Sequence, residues 1–219
     1  MKVLDLEGMT PRQANKLIKE EALKEKKIVI ESPHSIHFLC AGLDLEKEVE
    51  LEVNGDLGYY AASMINNVKV KINGRAGWYP ADNMTSGEVE IMGDGGDGAG
   101  QGMYGGTLIV HGNTNSRTGQ LMKNGLIIVK GNSGFMTGLY MMNGKIIVCS
   151  DLEEYAGESI IGGAIYFGGG YKSLGKNAKV EEVSDEEIQW LKKTLEQHSM
   201  KKDAKKFKKI VPISKRPFY

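Results

Sequence analysis

Three side chains that bind transition metals stand close together early in the chain: His34, His37 and Cys40. Imidazole nitrogen and thiolate sulfur suit zinc, but a structural zinc site takes four ligands and no fourth is near. The region reads as strand and turn, and no metal is assigned to it. Asp151, Glu153 and Glu154 form a second cluster. Paired carboxylates can exchange protons with a substrate, yet acids gathered at a turn are more simply a solvated surface. His111 and Cys149 occupy the same position of a repeat described below, two copies apart, so they are not neighbours. Gly131-Asn132-Ser133-Gly134 lacks the spacing of a serine nucleophile elbow.

Two glycine runs have the spacing of phosphate-binding loops. Gly93–Gly98 and Gly100–Gly105 both fit G-x-G-x-x-G, which cradles a dinucleotide only between a strand and a helix. Here glycine fills eight of the fourteen positions from 93 to 106, and no helical pattern follows. These are read as turn glycines. Gly170 to Gly175-Lys176 has P-loop spacing, but Asn177 stands where a Ser or Thr should reach magnesium. No catalytic, cofactor-binding or metal-binding residue is assigned.

The elements that hold these residues follow from the glycines, 29 in all. Gly55, Gly74, Gly93, Gly112 and Gly131 are spaced by 19 residues; two more steps reach Ser150 and Gly169. Seven copies in one unbroken register predict an array. Each copy opens with a strand, from VELEVNG through GTLIVHG to GAIYFGG. The third and fifth positions are apolar in every copy, from Leu51/Val53 to Ile165/Phe167, and alternate residues of a strand share a face. Position 17 is a second apolar column: Ile65, Met84, Met103, Met122, Met141, Ile160. Position 14 is small in six copies: Ala62, Ala81, Gly100, Gly119, Gly138, Gly157. So many glycines forbid a helix in each unit. The fold expected is all-β: a right-handed parallel β-helix of about seven 19-residue coils, with the hand taken by analogy.

The outward strand positions carry a second message. Glu50, Lys69 and Glu88, and beside them Glu52, Lys71 and Glu90, would stack as ladders of alternating sign. Position 4 then turns apolar at Ile109, Ile128, Ile147 and Tyr166. An apolar strip on the outside of a rod needs a cover, so these four are the candidate interface. Two covers are open: a helix of the same chain, or a partner.

The flanks read as caps, which a stacked rod needs to blunt its open strand edges. Thr10-Pro11 starts a helix through Ala14, Leu17, Ile18 and Ala22. Residues 28–45 read as strands and turns. Ser184-Asp185-Glu186-Glu187 is a capping box opening a helix through Ile188, Leu191 and Leu195. Pro212 and Pro217 then break any further helix. Three segments result: a capping segment 1–48, the β-helix 49–180, and a helix with a basic tail 181–219.

Charge balances at 28 basic and 28 acidic groups, but residues 201–219 hold eight Lys/Arg against Asp203 alone. Such a tail can meet nucleic acid or an acidic protein surface, or lie on its own acidic body. No aromatic-rich basic module accompanies it, so nucleic acid is not the expected partner. Two distant cysteines make no disulfide framework, and no signal peptide or membrane span is legible, so the expectation is a cytoplasmic protein.

The glycine register and the M-x-x-G joints, such as Met84–Gly87 and Met141–Gly144, carry a resemblance. With GDGAGQGMYGG and YAGESIIGG, they make residues 49–180 resemble the G-x-G-x-G β-helix domain at the C-terminus of the glutamate synthase large chain. That domain is in turn similar to the β-helical subunit of formylmethanofuran dehydrogenase. The resemblance implies a stand-alone, non-catalytic scaffold subunit. It would brace a glutaminase-type amidotransferase subunit against an FMN-containing synthase subunit, with FMN and iron–sulfur clusters on partners and no cofactor in this chain. A homo-oligomer is compatible with it. The alternatives are a component of a formylmethanofuran-dehydrogenase-like complex, and a self-sufficient hydrolase using a groove on the rod.

Overall fold

The computed structural model describes residues 1–215; Arg216 and Pro217 of the basic tail lie outside the described residues. Its strands form one sheet, and nine of them stack parallel along the axis of a rod. The regular coils begin with β3 (Asp44–Val53), β4 (Asn66–Ile72), β5 (Gly87–Ile91), β6 (Thr107–Val110), β7 (Leu126–Val129), β8 (Lys145–Val148) and β9 (Ala164–Phe167). They pair in the register the repeat demands: Leu51 with Val70, Val70 with Val89, Val89 with Leu108, and on to Ile146 with Ile165. The inward residues at positions 3 and 5 are buried in all seven coils, and those at position 17 in the first six, and they join one largely aliphatic core.

The stack continues into the N-terminal segment. β1 (Lys2–Asp5) and β2 (Lys27–Glu31) extend the same sheet, β2 pairing parallel with β3. The boundary expected between residues 48 and 49 falls inside β3, and residues 27–49 form a further coil. Helix α1 (Pro11–Ala22) crosses between β1 and β2. Thr10 accepts from the Gln13 amide while the Gln13 side chain accepts from the Thr10 amide, closing a capping box ahead of Pro11. Ala14, Ile18 and Ala22 turn inward onto the core with Leu4, Leu6 and Ile30.

Each coil satisfies its backbone through an alternation of hand. Tyr60, Ala62 and Met64 have φ of 58°, 51° and 53°, and positions 12, 14 and 16 stay left-handed through the next five coils. The amide of Tyr60 donates up to Trp78, that of Ala81 down to Ala61, and that of Met64 up to Asp82. Alternate amides thus serve opposite neighbours, which ties each turn to both adjacent coils without regular strand pairing. Phe38, Cys40 and Gly42 repeat the same alternation, which marks residues 27–49 as a true coil. Left-handed backbone costs an L-residue roughly 1–2 kcal/mol, so glycine accumulates here; Gly98, Gly100 and Gly102 occupy all three positions at once. Position 14 must also be small because its Cβ direction points at the core: a methyl on Gly119 would meet Ile127 and Ile146.

The column from Gly55 to Gly169 has another cause. Beyond Gly55 its members are not left-handed. Beside them runs a ladder in which a carboxylate or amide oxygen accepts from the amide of the next coil: Asp94 from Asn113 at 2.7 Å, Asn113 from Asn132 at 2.9 Å, Asn132 from Asp151 at 3.1 Å, Asp151 from Gly170 at 2.7 Å. A methyl on Gly131 would collide with Asn113 Oδ1 and lie 2.8 Å from the Gly112 carbonyl oxygen. Gly112, Gly131 and Gly169 leave room for the ladder, while a methyl on Gly74 would meet the Gly55 backbone.

The C-terminal segment closes the other end. β10 (Ala178–Glu182) leads to α2 (Asp185–Gln197), a short 3-10 helix (Ala204–Lys206) and β11 (Lys208–Pro212). β11 inserts between β9 and β10, antiparallel to both, with Ile210 fully buried. Among its described residues the tail has one short 3-10 turn and no continuing α-helix, but it forms a strand that its basic composition concealed.

Candidate functional site

The outward strand face divides into two halves. Over β6 to β9 it is the apolar strip, and the structure covers it with the chain's own C-terminal segment. Ile109, Ile128, Ile147 and Tyr166 are at most 2% exposed and pack with Leu191, Leu195, Met200 and Phe207. Of the two covers open to the sequence, the helix is the one present. Four such side chains contribute roughly 1.5–3 kcal/mol each when buried, ample to dock a helix of this length.

Polar contacts orient that helix. Glu187 accepts from the Tyr166 hydroxyl at 3.0 Å, from Lys209 Nζ at 2.8 Å and from the Ser184 amide at 2.8 Å. Burial pushes the Glu187 carboxyl up, but Lys209, the Ser184 amide and Tyr166 together hold it below its ordinary value. Burial, and then the neighbouring Glu187, push the Tyr166 phenol up. Lys145 Nζ stands 3.9 Å from the Trp190 ring centre, a cation–π contact at the helix rim.

Over β3 to β5 the same face is charged and uncovered. The ladders are in register, Glu50 with Lys69 with Glu88 and Glu52 with Lys71 with Glu90. The ion pairs are less regular than the register. Lys69 reaches Glu48 at 3.0 Å, Lys27 reaches Glu52 at 3.1 Å, and Lys71 lies 4.0 Å from Glu90.

The residues singled out for chemistry are held apart or otherwise engaged. His34 pairs with Glu7 at 2.6 Å, His37 Nδ1 accepts from the Tyr59 amide at 2.9 Å, and Cys40 is fully buried. Burial pushes the Cys40 thiol up to about 12. Among the described residues, no three His, Cys, Asp or Glu side chains converge to hold a metal ion. His111 pairs with Glu90 at 2.8 Å, while Cys149 lies under the C-terminal segment, its thiol pushed up to about 11 by burial. Asp151 belongs to the ladder, and Glu153 pairs with Lys172. Gly93 to Gly105 form the β5 coil and its turn, with no helix behind them. The Lys176 amide, where a P-loop would offer phosphate a donor, is taken by Glu158 at 2.8 Å.

Sequence reasoning passed over a feature on the turn face. His37, Tyr59 and Trp78 stack as one column, Phe38, Tyr60 and Tyr79 as another; the Tyr59 and Trp78 rings lie 4.7 Å apart and 4° from parallel. Phe38, Tyr59 and Trp78 are 49%, 40% and 46% exposed. The 19-residue spacing of Tyr59-Tyr60 and Trp78-Tyr79 was a legible signal.

No helix among the described residues is long and apolar enough to cross a membrane. No curated protein matches the chain. A solved structure that does match is a chain of the formyltransferase/hydrolase complex (FhcABCD) from Methylorubrum extorquens in complex with methylofuran. The two are 22% identical with a TM-score of 0.70, over 90% of this chain and 84% of that chain. At that identity the likeness is one of fold. The GXGXG motif family matches residues 29–215, from the coil ahead of the regular repeat to the end of the C-terminal cover. The glycine turns, the rod they build and its covering segment together make this chain a member of the GXGXG motif family.

Proposed function

We propose that this chain is a non-catalytic structural subunit of a multi-subunit enzyme complex, and that the complex is of the formyl-transfer type. The observation that carries the reading is the reach of the fold likeness. It takes in 84% of a chain from the formyltransferase/hydrolase complex and 90% of this chain, which reaches past the coils into the flanking segments. The chemistry of the rod agrees with it. Asp151 and Glu153 bind the next coil, and both thiols are buried.

A second reading is favoured by GDGAGQGMYGG and YAGESIIGG: a scaffold in a glutamate-synthase-like complex, between a glutaminase and an FMN-containing synthase. Purification of the chromosomally tagged chain under native conditions, with mass spectrometry, separates the two. Formyltransferase- or hydrolase-type subunits in fixed ratio support the first reading. Amidotransferase and flavin subunits support the second. Ester or amide hydrolysis by the purified single chain overturns both.

A further inference from the structure

Six aromatic rings gather in two columns on a turn face of the rod. Their two columns end together at the β5 coil, where Asp97 and Gly98 take the next places. Gly98 closes one column, since its Cβ direction points into the Tyr79 ring. The other stays open. Asp97 follows Trp78 in register, but its Oδ1 accepts from the Ser116 amide at 3.2 Å, turned toward the coil beyond. Trp78 therefore stacks on Tyr59 below, and no ring from the next coil lies on its upper face. Trp78 also lines a groove of about 360 Å³, together with Tyr59, Arg75, Asp94, Gly96 and Asn115.

We infer that this groove docks arginine side chains of a partner protein, the guanidinium taking the vacant place above Trp78; the inference rests on the scaffold reading. Asp56 and Asp94 line the groove against a single base, Arg75, and Asp97 stands next in the Trp78 column. Arg75 is already held by Asp56 at 2.7 Å. The surface left around the groove is acidic, and a cation complements it. A guanidinium is flat enough to continue the stack and still donates to carboxylates at its edge, which a lysine ammonium cannot do in one plane. Exposed tryptophan and tyrosine beside a charged rim are the composition of protein interfaces.

The chain has two tryptophans, so Trp190→Phe leaves Trp78 as the sole indole reporter. With hexa-arginine as the probe at low salt, Trp78 emission should change saturably. Hexa-lysine should bind about threefold more weakly, and hexa-glutamate should leave the emission unchanged. Asp94→Asn and Asp97→Asn should each weaken hexa-arginine by about two- to fivefold. A flat response, or equal calorimetric binding by Trp78→Leu, overturns the inference. So does self-association of the chain that Trp78→Leu abolishes, because the face then belongs to a second copy. In the native complex, cross-links to a partner should fall on the turns of residues 56–97. Cross-links confined to other faces overturn the inference and leave the scaffold reading; a chain that migrates alone in native extract ends both.

Discussion

The Tyr166 hydroxyl donates to Glu187 Oε1 at 3.0 Å, joining the last parallel strand to the first turn of the helix that covers it. Glu187 is also the acceptor of its own helix's capping box, so one carboxylate starts α2 and anchors it. A hydrogen bond to a charged group is worth roughly 1.5–3 kcal/mol. Tyr166→Phe should cost about that much, read as a lower urea midpoint with an unchanged slope.

The same carboxylate sets an acid limit. Its folded value lies below its ordinary value of 4.5, despite the opposing effect of burial. Unfolding therefore takes up a proton. Glu187 contributes its stability fully above pH 4.5, and loses it as pH falls through the lower folded value. Thermal midpoints of the wild type and Glu187→Gln should be well separated at neutral pH and draw together as pH falls below 4.5. A constant gap would show that Glu187 acts by shape alone.

The glycine column makes a sharper test, because two causes of glycine can be told apart. Gly131→Ala places a methyl on Asn113 Oδ1 and should cost roughly 1–3 kcal/mol as overpacking. Asn113→Ala removes the acceptor for the Asn132 amide. The two changes meet at one contact, so their costs should not add. A double mutant whose loss equals the sum of the singles would refute the ladder as the reason for the column.

Much of this fold was legible because its signals repeat. Positions 3, 5, 14 and 17 recur with the glycine column, and a rod is the arrangement that buries all of them at once. The strip at Ile109, Ile128, Ile147 and Tyr166 was legible for the same reason, since strand alternation forces it outward. What the sequence hid was set by backbone and by partners. Tyr60, Ala62 and Met64 take left-handed φ although none is glycine, since their amides must serve opposite neighbours. The coil at residues 27–49 escaped notice because Lys27 pairs with Glu50, a step of 23 residues that breaks the period. β11 escaped because its partners β9 and β10 are distant in sequence. The aromatic columns stood in plain view, but a search for nucleophiles and ligands passes over side chains that neither titrate nor coordinate.

The cover over the strip can be read through a thiol. Cys40 lies in the rod's core and Cys149 under the C-terminal segment, both buried and both with thiols pushed up to about 12 and 11 by burial. Native protein at pH 8 should therefore react slowly with a disulfide reagent at either site. Ile128 is fully buried between strand and helix, so Ile128→Ala should cost roughly 2–5 kcal/mol. Ile128→Lys places an ammonium in a buried apolar cluster, and should release the segment. If the rod stands without its cover, Ile128→Lys will expose Cys149 and leave Cys40 protected, and one thiol per chain will react. Far-ultraviolet dichroism should then keep its β signal while losing that of α2. Both thiols reacting together would mean that rod and cover unfold as one cooperative unit, and that β11, inserted between β9 and β10, holds up the whole stack.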